Sequence, residues 1–378
     1  KIVNYKFPLN YQNMKFIKSI TLLLTFAMIS IQYSIGQQTD KTEGLSNLIG
    51  RLYVNGTLHG GVLVAEGEDI LYRDAWGVAN IDQHTALTVD EKFTINSMGK
   101  MFSSILILQL VEEGKLSFED KLSDMLPEFP HKRAKDITLH HLLAHRSGVR
   151  DYGLLQMAGQ LPYNLTRDQM FSEIGKMDLK FEPGSKFNYS NSGYMLLGAI
   201  IENNRGKPLK EVMLERIFEP LGMQNTSMIY KYDLDELPQY FLQDGTVYQE
   251  DDMVIYGGDG AEVSTMDDMY TFMMALGSDK LLSKAMWKLA FTPHSFPNEV
   301  PEDAWPPPHQ DPYGYGFSIM ELPFDGETTA TAVGHGGAGL GSNYALRFLE
   351  SKRIIVNWNN IFKNPILFDV INYLAASN

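Results

Sequence analysis

The chain contains no cysteine. That excludes disulfides, thiolate metal sites, a cysteine nucleophile and a lipoprotein anchor. Basic side chains are outnumbered, 32 Lys and Arg against 46 Asp and Glu, for a formal net charge of −14. An acidic chain repels polyanions, which argues against nucleic acid as a partner. No internal repeat or low-complexity tract is present, and the apolar run Ile20 to Ile31 is too short for a comfortable membrane span. What remains is 378 residues with 44% hydrophobic composition, enough to bury one large core or two closely packed ones.

The N-terminus has an ordered pattern. A basic stretch, Met14-Lys15-Phe16-Ile17-Lys18, precedes the apolar run, and Ser34-Ile35-Gly36 follows it ahead of polar residues. This reads as a secretory signal peptide over residues 14–36, with residues 1–13 an upstream extension. An uncleaved anchor is the alternative. The expected destination is the periplasm or the exterior, with no stable membrane span once the signal is removed.

Beyond it, Gly60 to Ala65 and Ile70 to Tyr72 flank a Gly67-Glu68-Asp69 turn and predict a hairpin. Met101, Ile105, Leu108 and Val111 fall at helical spacing, predicting a helix from Thr94 to Glu113 that Gly114 stops. Residues 120–255 look mainly helical, and two more helices are expected at 268–276 and 283–291. Glu302 to Pro312 reads as a rigid proline loop. Gly314 to Met320, Ala330 to His335, Asn343 to Leu349 and Arg353 to Trp358 read as strands, and Pro365 to Ala376 as a helix. Strands at both ends and helices between them predict an α/β domain built from residues 44–95 and 260–378, with a mainly helical domain, 96–259, inserted.

Three short motifs carry chemistry. In Ser97-Met98-Gly99-Lys100, serine and lysine lie three apart, on one face of a helix. A serine hydroxyl needs a base to become a nucleophile, and a lysine can serve only if burial or charge holds it neutral. Alone, the motif also reads as a capping serine and a solvated lysine. In Tyr189-Ser190-Asn191, a phenol near a cation can shuttle a proton and an asparagine can orient an amide; the plain alternative is a helix cap. Gly334-His335-Gly336-Gly337-Ala338 follows a strand pattern, and glycines there allow close backbone approach by a ligand; the alternative is a glycine-rich turn with a surface histidine.

Taken in this order, the motifs resemble those of the serine β-lactamase and penicillin-binding-protein family. The Y-x-N and H-x-G forms are similar to the class C β-lactamase branch, which includes D-alanyl-D-alanine carboxypeptidases, D-aminopeptidases and β-lactamase-like esterases. The segments Ile137 to Gly148, Phe218 to Met223, Ser264-Thr265 with Asp268, and Tyr313 to Phe317 resemble the family too.

The resemblance implies an α/β + α, β-lactamase/transpeptidase-like fold: an antiparallel sheet flanked by helices, an inserted helical domain, and an active site at their interface. It implies a serine hydrolase with Ser97 acylated, Lys100 as proton acceptor and Tyr189 as relay. Asn191, His335, Gly336, Gly337 and Ala338 would bind substrate, and the N–H groups of Ser97 and Ala338 would form an oxyanion hole. No metal or organic cofactor is implied, and the partner is a small-molecule or short-peptide substrate. Esters come first, then D-amino-acid peptides or amides, then β-lactams. The rival reading is a catalytically silent penicillin-binding or sensor domain on the same fold.

Two positions depart from the pattern. His335 stands where lysine is usual in β-lactamases, which predicts weaker, pH-dependent recognition of carboxylates. Glu262 stands where an apolar residue is expected. His141 and His145 are four apart and could ligate zinc, but no H-E-x-x-H glutamate lies between them.

Overall fold

The computed structural model describes residues 41–231, 236–242, 244–249, 254–301, 311–361 and 366–377. The segment 14–36, expected to be a signal peptide, and most of the proline loop lie outside the described residues.

A helix, α1, covers residues 41–54. The strands β1 (Gly60–Glu66) and β2 (Asp69–Trp76) form the expected hairpin, and β3 (Val78–Asn80) pairs with β4 (Thr85–Ala86) in a small ribbon. At the other end of the chain come β8 (Ser318–Pro323), β9 (Thr329–Gly339), β10 (Gly341–Phe348) and β11 (Arg353–Asn359). One six-stranded sheet results, in the order β2-β1-β11-β10-β9-β8, antiparallel at each pairing.

Strand side chains alternate between the two faces. Val62, Val64, Leu346 and Ile355 face one apolar cluster, closed by Leu45 and Ile49 of α1 and by Val370, Ile371 and Leu374 of α12 (Leu367–Ala376). Leu63, Ala65, Ile354 and Val356 face the other, larger cluster. There α10 (Met266–Ala275) lies on β1, β10 and β11. Both faces are covered, which explains the near-continuous apolar character of β1 and β11.

The stretch between the ends supplies the helices. These are α2 (Lys100–Glu112), α3 (Leu122–Met125), α4 (Leu139–Leu143), α5 (Tyr152–Met157), α6 (Arg167–Gly175), α7 (Asn191–Arg205), α8 (Leu209–Met213) and α9 (Glu219–Leu221), with α11 (Lys284–Ala290) following α10. At the centre is α2, buried from Lys100 to Leu110 and packed against α7 and α11. The Ser190 hydroxyl caps α7 at its start, and Gly206, at φ +64°, ends it.

The helix expected from Thr94 begins later. Phe93–Thr94 is instead a short strand, β5, paired with β7 (Glu262–Ser264), whose other neighbour is β6 (Ser227–Met228). Asn96 then takes a left-handed conformation at φ +50°, and Asn96–Gly99 forms a 3-10 turn before α2. Tertiary pairing of Phe93 and Thr94 with Ser264 and Val263 overrides the local helical pattern, and Ser97 sits on the tight turn that results.

Candidate active site

The turn bearing Ser97 is gripped by two backbones. A Cβ on Gly260 would fall 2.2 Å from the Asn96 carbonyl oxygen and 2.8 Å from the Ser97 nitrogen. From β9, a Cβ on Gly337 would fall 2.3 Å from the Ile95 carbonyl oxygen. Glycine is therefore required where β9 passes the turn, the close approach that glycines in a strand permit. The Asn96 amide nitrogen donates to the Leu340 carbonyl at 3.1 Å and pins the turn to the end of β9. Ser97 itself is only partly buried, and Ala338 is exposed beside it.

Lys100 has no exposed surface. Its Nζ donates to Ser97 Oγ at 3.1 Å, to Asn191 Oδ1 at 2.8 Å and to the Asp259 carbonyl at 2.6 Å. Three acceptors match the three protons of an ammonium. Burial pushes the lysine down to about 8, against the opposing pull of Asp259, Asp151 and Glu262. An amine in that range has a usable neutral fraction near neutrality, and one turn of helix places it on the serine oxygen.

Asn191 opens α7, and its orientation is fixed by Asp151. The Asn191 backbone N–H donates to Asp151 Oδ2, and its side-chain nitrogen lies 3.5 Å from Asp151 Oδ1. The amide oxygen is thereby aimed at Lys100. Asp151 also caps α5 by accepting the Leu154 N–H at 2.9 Å. Next to it, the Tyr152 hydroxyl donates to Asp259 Oδ2 at 2.5 Å. Burial raises both carboxyls above the usual carboxylate range, although each is held in part by these donors and by Lys100.

The Tyr189 ring centroid is 5.0 Å from Lys100 Nζ, and the Tyr194 centroid 5.7 Å. Burial pushes the Tyr189 phenol well above its ordinary range, and the neighbouring Ser97 hydroxyl works in the other direction. His145 fixes the loop that carries this tyrosine. Its carbonyl accepts the Asn188 N–H at 3.0 Å, its Nδ1 accepts the Ser190 N–H at 3.1 Å, and its ring packs 4.4 Å from that of Tyr189. His141 Nδ1 accepts the Thr138 N–H at 3.2 Å, capping α4. The two histidines are thus engaged with backbone, and no group of metal-ligating side chains is arranged to hold a metal among the described residues.

His335 lies on β9, beside Ala338 and the nucleophile turn. The residue is 1% exposed. Its Nδ1 lies 2.5 Å from the Gly336 carbonyl and its Nε2 3.0 Å from the Tyr313 hydroxyl. A carbonyl only accepts, so Nδ1 carries a proton, and Nε2 forms a hydrogen bond with the Tyr313 hydroxyl. The imidazole faces the Tyr189 and Tyr313 rings, with centroids 6.0 and 5.8 Å away, rather than solvent.

The site therefore brings Ser97, Lys100, Tyr189 and Asn191 together, with β9 alongside. Sequence reasoning gave no role to Asp151, Tyr152 or Asp259. The one available signal was the glycine-rich run Gly257-Gly258-Asp259-Gly260, whose positive φ values at 257, 258 and 260 fold the acid toward the lysine. No helix among the described residues is long and apolar enough to cross a membrane.

A family model described as Beta-lactamase matches residues 46–376. A penicillin-binding protein of Bacillus subtilis is 30% identical over 345 residues, covering 85% of this chain and 72% of its own. A D-aminopeptidase of Brucella anthropi is 28% identical over 286 residues, 74% of this chain, and the match spans about half, 51%, of that enzyme. Among solved structures, a penicillin-binding protein from Bacillus halodurans is 30% identical with a TM-score of 0.70, over 86% of this chain and 97% of that one.

Proposed function

Because this chain belongs to the beta-lactamase family and has its β-lactamase/transpeptidase-like fold, we propose that it is a serine hydrolase working through an acyl-ester on Ser97. The observation that carries this reading is the buried Lys100, its Nζ 3.1 Å from Ser97 Oγ and its basicity lowered to about 8. Neutral Lys100 accepts the Ser97 proton as Oγ adds to the substrate carbonyl. The oxyanion that forms is stabilised by the N–H groups of Ser97 and Ala338. Tyr189 passes a proton to the departing alcohol or amine, and the C–O or C–N bond breaks. Water then adds to the acyl-ester and gives a proton to the Tyr189 phenolate, Lys100 returns its proton to Ser97 Oγ as the acyl C–O bond breaks, and the carboxylic acid is released. Asn191 orients both the substrate and Lys100.

The substrates are carboxylic esters, D-amino-acid amides or peptides, and β-lactams, in that order. The likeness to a D-aminopeptidase supports the second class. His335 serves by supporting Tyr313 and the tyrosine cluster, its burial being the observation behind that assignment. The pattern of Met14 to Gly36 supports export. Treatment with a fluorophosphonate probe should give one adduct, on the peptide containing Ser97, and Ser97→Ala should abolish it while the circular dichroism spectrum stays the same. Adduct formation elsewhere, with Ser97→Ala still active on p-nitrophenyl esters, would end the proposal.

A further inference from the structure

Glu262 is the buried acid that this mechanism does not use. It stands on β7, next to the strand that leads into the nucleophile turn, and its carbonyl accepts the Ile95 N–H at 2.9 Å. Its side chain runs beneath Ser97-Met98-Gly99-Lys100. A Cβ on Gly99 would fall 1.9 Å from Glu262 Oε2 and 2.8 Å from its Cδ. Glycine at 99 is what leaves room for the carboxyl. The residue is 1% exposed, and neither carboxyl oxygen has a hydrogen-bond partner among the described residues. A carboxylate without donors is costly to bury, so packing against Gly99 favours the protonated form.

The charged and titratable groups around this pocket are few. Lys100 faces Glu262 from α2, and Asp259 from the glycine loop ahead of β7. Asp151, before α5, acts on the same lysine, as do the Tyr189 and Tyr194 rings beneath its ammonium.

We infer that Glu262 is a positioning residue that shares a proton with Lys100 and thereby limits how much of the enzyme carries a neutral lysine. Resting on the reading of Ser97 and Lys100 given above, it adds a second proton acceptor to the site. Removing one proton from the pair leaves two arrangements. Neutral lysine beside a neutral carboxyl can deprotonate Ser97; ammonium beside carboxylate cannot. Burial pushes Glu262 up and Lys100 down, and each acts on the other's charge, so the two groups compete for one proton and titrate as a pair. The reactive form is then recruited over two overlapping steps rather than one.

The test is the rate of Ser97 labelling by a fluorophosphonate probe as a function of pH, for wild type, Glu262→Gln and Glu262→Leu, each checked for folding by circular dichroism. Wild type should rise over a broad acid limb. Either variant should rise in a single step whose midpoint lies about one pH unit lower, and label up to about tenfold faster within the wild-type limb, while well below it, where Glu262 is protonated and uncharged, the rates should coincide. The leucine variant removes charge and hydrogen bonding together, so it answers the question if glutamine does not fold. Superimposable profiles for wild type and a folded variant would overturn the inference and leave Ser97 and Lys100 in their roles. A wild-type protein with no Ser97-dependent labelling at any pH would instead overturn the serine hydrolase reading, and this inference with it.

Discussion

On the face of the sheet that carries α1 and α12, the cluster packs aliphatic side chains around Tyr72, Met320 and Phe348. The cation buried at its rim, Arg353, meets Glu66 at 2.7 Å and stacks 4.4 Å over Phe324. On the opposite face, the first turn of α2 buries Lys100 among Asp151, Asp259 and Glu262, three acids to one lysine, the last without a hydrogen-bond donor. One face satisfies its charge and is ordinary scaffold. The other keeps charges in a state that moves their proton affinities by burial, at a cost in stability that packing elsewhere must offset. Beside Ser97 the shifted groups are acids and a lysine, whereas on the scaffold face they are phenols, Tyr72 being pushed up to about 12 by burial.

The contrast can be tested by breaking either side. The largest effect on chemistry short of removing Ser97 should come from Lys100→Ala and Tyr189→Phe. Each should slow acylation by about 10² or more, since general acid–base assistance contributes roughly 10²–10⁴. Their combination should lose less than the product of the two, because both act on one proton path. Strictly multiplicative losses in single-turnover labelling would separate them.

On the scaffold face, Ile371→Ala on α12 removes a side chain with 1% exposure. Denaturant unfolding should show a loss of about 2–5 kcal/mol, with the labelling rate of the folded protein unchanged. A slowed rate at full folding would mean that the faces are coupled through the sheet. Tyr313→Phe should give the smallest change. It removes the hydroxyl now 3.0 Å from His335 Nε2 and should cost about 1–3 kcal/mol of stability. Acylation should fall by less than about tenfold, since the hydroxyl bonds to His335 and Tyr194.

The grouping of Ser97, Lys100, Tyr189 and Asn191 was legible because much of it is local. Ser97 and Lys100 are one helical turn apart, and Tyr189 and Asn191 sit together at a helix entry whose cap, Ser190, is visible between them. The strands of the sheet were legible from their apolar runs, although β9 extends to Gly339, beyond the expected end at His335. Asp151, Tyr152 and Asp259 were not legible as site residues. Nothing in their spacing ties them to Ser97, and only the packing of α5 and the glycine loop around Lys100 brings them there. The start of α2 was misjudged for the same reason: β7, some 170 residues further on, claims Phe93 and Thr94. His335 was legible as part of a motif but not as a buried group, since its partner Tyr313 comes from the segment before β8.

The seating of β1 between β2 and β11 has a consequence for how the molecule comes into being. Gly60 lies opposite Asn359, so the second inner neighbour of the first strand is nearly the last segment of the chain. Pairing between such distant partners is entropically slow to establish, and a growing chain holds the β1–β2 hairpin open until β11 has emerged. Premature termination before Arg353 removes the strand that joins β1 to β10 and leaves two unpaired edges, each a template for association with another chain.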